Sequence, residues 1–149
     1  MTWCRPDYSQ EDCRAFIARC EDDWKAGEQY SFAIFDVRKK TLLGSVGLNR
    51  IDQTHRCANI GYWVRRSHRQ RGVATAAVRQ VARTGLTELG LRRLEILVPE
   101  KNVASQHVAL NAQARFEGVL RQRLALADGL HDAFLYSIIP EDLRVRGHY

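Results

Sequence analysis

No apolar run in this sequence comes near the roughly 20 residues of a membrane span, and the N-terminus has no signal-peptide core. A soluble, cytoplasmic protein is expected. Low-complexity linkers and internal repeats are also missing, so the 149 residues, 45% of them hydrophobic, read as one domain over 1–149 with a core of its own. The four cysteines, Cys4, Cys13, Cys20 and Cys57, form no C-x-x-C pair. That excludes the usual zinc and redox motifs, and no metal is expected. They read instead as small buried apolar residues in a reducing compartment. Acidic residues are in deficit, 17 against 23 basic, giving a formal charge of +6. Such a field favours polyanions and opposes polycationic small substrates. Aromatics do not alternate with the arginines as a base-stacking surface requires, so nucleic acid is an unlikely partner.

What is present is clear periodicity. Ser9 and Asp12 have capping-box spacing. Cys13, Phe16, Ile17, Cys20 and Trp24 then form one apolar helix face, expected to enter the core, and Gly27 ends the helix. Tyr30 to Val37 and Leu42 to Arg50 read as a hairpin about Arg38-Lys39-Lys40. After a polar turn at Asp52 to His55, Cys57 to Val64 alternates as a third strand. A second helix runs from Ala74 through Val78, Val81, Ala82, Gly85 and Leu89, with Gly90 as its expected cap. Leu94 to Val98 is a short buried strand stopped by Pro99. Asn102 caps a third helix, and Leu120 to Leu126 and Leu130 to Ile139 flank the hairpin turn Asp128-Gly129.

Between the third strand and the second helix lies Ser67-His68-Arg69-Gln70-Arg71-Gly72-Val73-Ala74-Thr75. A strand that ends at a glycine-containing turn and opens a helix aims the first-turn N–H groups at one spot, a seat for phosphate. Arg66, Arg69 and Arg71 surround it with positive charge. The strand, basic turn, helix and strand from Cys57 to Val98 make a crossover that joins parallel neighbours, with phosphate ligands at the carboxyl end of the first strand.

With these elements in order, the sequence resembles the GCN5-related N-acetyltransferases (GNAT), and among them the RimJ/RimL type that acetylates ribosomal-protein N-termini. The resemblance runs from about Trp24 to Ile139. It rests on Leu43 to Leu48, Ile60-Gly61-Tyr62-Trp63-Val64, Arg69-x-x-Gly72-x-Ala74-Thr75, Asn102-x-x-Ser105, Glu117-Gly118 and Asp132 to Tyr136. It implies an α+β fold: a mixed, mostly antiparallel twisted sheet of about six strands, helices on both faces, and one strand–helix–strand crossover. It implies acetyl-CoA as cosubstrate. Backbone N–H groups of Gln70, Arg71, Gly72, Val73, Ala74 and Thr75, beside Arg69, would hold the pyrophosphate. Tyr62, Trp63 and Val64 would pair with the pantetheine arm, and Asn102 and Ser105 would flank its sulfur. Ser105 is the candidate donor to the departing thiolate.

Three departures accompany the resemblance. Asn59 stands where many RimL-like sequences carry a glutamate, and an amide takes no proton from an amine. Glu95, Asp52, His55 and Asp132 remain candidates to relay one through water. Gln113-Ala114 replaces the usual Gly-Phe pair after the third helix. The family's first strand and helix are expected to have no counterpart before Trp3, which would leave part of the acceptor wall absent or supplied by a second subunit of a homodimer. Missing a carboxylate matters less for some amines than for others. An α-amine of pKa near 8 is about one-tenth neutral at pH 7, a lysine near 10.4 only about one part in 2,500. The expected activity is direct acetyl transfer to a primary amine, foremost a protein or peptide N-terminus. A small-molecule amine is the alternative acceptor, and a catalytically weak acyl-CoA-binding module the alternative class.

Overall fold

Ser9 opens the first helix as its spacing predicts. The structure, a computed structural model, describes Asp7 and residues 9–144. The Asp12 N–H donates to Ser9 Oγ at 3.1 Å, and the Ser9 N–H to Asp12 Oδ2 at 2.9 Å. Helix α1 (Gln10–Ala26) ends where Gly27 turns left-handed at φ +70°. Its apolar stripe does not enter the core as expected. None of its residues is buried, and Phe16, Ile17 and Trp24 are exposed. Trp24 ties it to the sheet, edge-on to Tyr30 and Phe32 at 5.0 and 4.9 Å between ring centres. Cys13 and Cys20 depart from expectation for the same reason, being exposed and half-buried, and Cys57, the first residue of a strand, is also only half-buried. Cys4 lies outside the described residues.

Strands β1 (Tyr30–Asp36), β2 (Thr41–Asp52) and β3 (Cys57–Val64) form an antiparallel meander. A single 3-10 turn at Arg66–His68 leads to α2 (Val73–Thr87), which is followed by β4 (Arg93–Pro99), α3 (Val103–Asn111), β5 (Arg115–Leu126), β6 (Gly129–Ile138) and the short α4 (Pro140–Leu143). The six strands lie in the order β1-β2-β3-β4-β6-β5. Every neighbouring pair is antiparallel except β3 and β4. This is the mixed sheet with one parallel crossover that the sequence implied.

Alternation assigns the two faces. Leu48, Ile60, Leu94, Ile96, Val98, Tyr136 and Ile138 point to one side and are at most 3% exposed. There they meet Val78, Val81 and Ala82 of α2 and Ala109 of α3. Burying an aliphatic side chain this completely is worth about 1.5–3 kcal/mol, so this layer dominates the stability. The helices were expected on both faces, but among the described residues they gather on this one. Even Trp24 rests on Tyr30 and Phe32, and Phe32 shares a hollow with Ala77 and Val81 of α2. The opposite face carries Asn49, Asn59, Arg93, Glu95 and Ser137. Polar side chains in the alternate strand positions explain why no helix packs there.

Three boundaries also moved. β2 runs on to Asp52, β5 begins at Arg115 rather than Leu120, and α2 ends at Thr87, with Gly90 (φ +68°) serving the turn beyond.

Candidate active site

The parallel pair β3 and β4 is joined for three residues only, Cys57–Asn59 against Arg93–Glu95. Beyond Asn59 and Glu95 the strands part, although β3 stays paired to β2 as far as Val64 and β4 to β6 as far as Pro99. A wedge therefore opens toward the carboxyl ends of the two parallel strands. Along it Ile60–Val64 of β3 has no pairing with β4, and a strand edge turned to a cleft is one on which an amide-bearing chain can hydrogen-bond.

At the mouth of the wedge lies the basic turn. Gln70 and Gly72 both have left-handed backbone, φ +58° and +75°, and two such residues around Arg71 curl the chain into a concavity of N–H groups. The first intrahelical bond runs from the Ala76 N–H to the Gly72 carbonyl at 2.9 Å, so the amides of Val73, Ala74 and Thr75 precede it and remain available. No side chain caps this helix start, and no acidic residue sits in its first turn. A Cβ added at Gly72 would meet nothing within 4 Å. The cradle is open and positively polarised, an arrangement able to accept an anionic group such as a phosphate. Arg65, Arg66, Arg69 and Arg71 are exposed around it. Arg69 Nε turns back to the Val64 carbonyl at 3.5 Å, fastening the turn to the strand end.

The first turn of α3 forms the other lip. Asn102 Oδ1 accepts from the Ser105 N–H at 3.1 Å, an N-cap of the kind worth about 1 kcal/mol. The Tyr62 hydroxyl crosses from β3 and donates to the Ser105 carbonyl at 3.3 Å. Burial pushes the Tyr62 phenol up from 10, a hydrogen bond with Ser105 opposes this, and Tyr136 adds to it. Tyr62 therefore stays protonated at neutral pH. Its side chain is a site feature that sequence reading missed, since only its backbone had been singled out. Tyr136, buried beside Ile96, is core as expected.

On the opposite face, Asn49, Asn59 and Glu95 stand in one row across β2, β3 and β4. Asn59 Nδ2 donates to Asn49 Oδ1 at 3.0 Å. Glu95 is engaged by Arg93 Nε at 2.9 Å, and Arg93 also clasps Glu117 through both terminal nitrogens. Glu117 is held down at about 2, first by Arg93 and then by the Ser137 hydroxyl. Glu95 thus lies at the base of the wedge but is tied into an ion-pair network. Two of the other proposed relays are engaged by backbone: Asp52 accepts from the His55 N–H at 2.8 Å, and Asp132 from the Gln122 N–H at 2.7 Å. The structure brings Tyr62, Arg69–Thr75, Asn102 and Ser105 around one side of the wedge and Asn59 and Glu95 around the other. Asp52 ends β2, His55 lies in the turn that follows it, and Asp132 lies in β6. Among the described residues no cluster of His, Cys, Asp or Glu has metal-site geometry, and no helix is long and apolar enough to cross a membrane.

A sheet parted between two parallel strands, with a phosphate cradle at the mouth of the parting, defines the frame of an acyltransferase that works on coenzyme A thioesters. The chain belongs to the GNAT acetyltransferase family, whose acetyltransferase (GNAT) domain model matches residues 1–115. Members of this family use acetyl-CoA. It is 35% identical over 100 residues to the N-acetyltransferase YoaA of Bacillus subtilis, covering 67% of this chain and 56% of that protein. To the ribosomal-protein-serine acetyltransferase of Escherichia coli it is 30% identical over 139 residues, 93% of this chain and 76% of the relative. A Vibrio cholerae structure of the ribosomal-protein-serine acetyltransferase type superposes with a TM-score of 0.78 at 30% identity, over 89% of this chain and 76% of that one. A spermidine N-acetyltransferase of the same organism reaches the same TM-score at 19% identity, over 90% and 79% of the two chains, a likeness of fold alone.

Proposed function

We propose that this protein transfers the acetyl group of acetyl-CoA directly to a primary amine, and that its acceptor is the N-terminal α-amine of a protein or peptide. The observation that carries the reading is the wedge with chemically different sides. A phosphate cradle, Ser105 and Tyr62 line the helix side, and an amide row lines the open face. The thioester would lie in the wedge, with its pantetheine along the cleft side of Tyr62, Trp63 and Val64. The amine would approach from the open face. The C–N bond forms as the C–S bond breaks, the amine proton leaves to water, and the thiolate takes a proton from the Ser105 side, where Tyr62 is kept protonated. The acceptor class is supported by the name of the Escherichia coli relative and by the lack of a free carboxylate beside Asn59, which favours amines already partly neutral at pH 7.

Spermidine is the second acceptor to consider, since a protein of like fold acts on it. The charge of +6 opposes a polycation, and the α-amine is preferred. The deciding experiment follows thiol release from acetyl-CoA with peptides bearing free N-terminal serine or alanine, with the same peptides blocked, and with spermidine. Turnover is expected with the free peptides alone. Turnover with spermidine and none with peptides would reverse the assignment.

A further inference from the structure

Gly47 of β2 and Gly61 of β3 lie directly opposite each other in the antiparallel register. With no side chains they leave a shallow strip on the open face beside the wedge. Asn49 and Asn59, the next pair on that face, form its wall. Asn49 leans over the strip, since a Cβ at Gly61 would stand 3.0 Å from Asn49 Nδ2. Because Asn59 Nδ2 donates to Asn49, its Oδ1 is left on the β4 side of the amide, at the point where β3 and β4 part. That oxygen is sealed from solvent and has no hydrogen-bond partner. A buried carbonyl is normally satisfied, and its neighbour across the parallel register, Glu95, is another acceptor. The position calls for a donor that arrives from within the wedge.

We propose that Asn59 Oδ1, oriented by Asn49, seats the acceptor amine. One amine N–H donates to it, and the nitrogen lone pair is left facing the thioester. The proposal rests on reading the protein as an amine acetyltransferase, and it deepens that reading by giving the specificity a cause. An amide oxygen takes a hydrogen bond but no proton, so the amine must arrive neutral, and α-amines meet that condition far more often than lysines. The charged or titratable groups around it on the same face are Cys57 on β3, Arg93 and Glu95 on β4, and Arg115 and Glu117 on β5, with Arg115 paired to Asp142. Arg93 holds the Glu95 and Glu117 carboxylates, and β2 offers none between Ser45 and Asn49. The acid limb of kcat/KM should therefore follow the pKa of the acceptor itself.

The test uses a short peptide with a free N-terminal serine. Asn59→Ala is expected to raise the peptide KM at least about tenfold, with the acetyl-CoA Kd unchanged. Asn49→Ala should show part of that loss, and Asn49→Asp, which keeps the oxygen that Asn59 donates to, should restore it. Asn59→Asp should move the acid limb to lower pH. If the wild type acetylates the peptide and Asn59→Ala leaves KM and kcat within about twofold, the amine seat is overturned and the acceptor reading survives. If the wild type acetylates no peptide, the acceptor reading falls. The seat is then judged from the Asn59 side-chain carbonyl resonance of the wild-type CoA complex titrated with propylamine. A saturable shift supports the seat, and an unmoved resonance overturns it. This titration needs no variant and so does not depend on one folding.

Discussion

Replacing Gly72 by valine separates the phosphate cradle from mere fold integrity. Gly72 sits at φ +75° with nothing within 4 Å of an added Cβ, so the folded protein meets strain but no clash. Left-handed backbone costs a non-glycine residue roughly 1–2 kcal/mol. In a chain of this size that is worth about 2–4 °C in Tm per kcal/mol. Binding should suffer far more, because the branched side chain fills the open space in front of Val73 and Ala74. Each N–H bond to a charged group contributes about 1.5–3 kcal/mol, and losing two weakens binding at least about a hundredfold. Gly90 supplies the control. It too is left-handed, at φ +68° with nothing nearby, but it lies beyond the other end of α2. Gly90→Val should lower Tm by a similar amount and leave acetyl-CoA affinity unchanged. Calorimetric titration of both variants, with melting curves, reads the difference. Equal Kd values for Gly72→Val and Gly90→Val would refute the placement of the cradle.

Glu117 predicts a pH dependence of stability. Its folded pKa of about 2 lies below its ordinary 4.5, so its contribution is complete above 4.5 and is lost as pH falls through 2. With its side chain 37% exposed, solvent screening reduces that contribution to about 1–2 kcal/mol. Glu117→Gln should be less stable than wild type by that amount at neutral pH, and urea titrations should show the gap closing between pH 4.5 and 2. A gap independent of pH would contradict this. Ser105→Ala should lower turnover about a hundredfold and acetyl-CoA affinity little; equal losses in both would remove Ser105 from proton delivery. Gly85→Ala sets helix propensity, a gain of about 1 kcal/mol, against packing. Its Cβ would stand 3.1 Å from Leu48 and 3.3 Å from Leu94, both fully buried, and overpacking of about 1–3 kcal/mol should win. A raised Tm would show that these leucines yield.

Much of the frame was legible because it rests on local signals. The capping pair Ser9 and Asp12, the alternation of Cys57 to Val64 and the turn Asp128-Gly129 each name their own structure. The turn into α2 was legible for the same reason, being a single stretch from Arg69 to Thr75. The fate of the α1 stripe was not, because periodicity gives a face and not its partner. In this sheet the helix side is already filled by α2 and α3, and of the stripe's aromatic residues Trp24 packs on Tyr30 and Phe32 while Phe16 is left exposed. The first five residues of β5 were missed because Arg115 and Glu117 are polar strand residues on the open face, engaged with Asp142 and Arg93. Glu95 looked like a free carboxylate because its tie to Arg93 belongs to an ion-pair network in which Arg93 reaches Glu117, 24 residues further along the chain. The Tyr62 to Ser105 contact spans 43 residues and likewise leaves no mark in either segment.

The claim on which all of this depends is that acetyl-CoA binds in the wedge between β3 and β4 with its pyrophosphate on the N–H groups before α2. The most direct measurement is a titration of the protein with acetyl-CoA followed by its backbone amide resonances. The account predicts saturable, one-to-one shifts that are largest at residues 70–75 and extend along Tyr62–Val64 to Ser105. Saturation with the shifts centred elsewhere, or none at all, would contradict it.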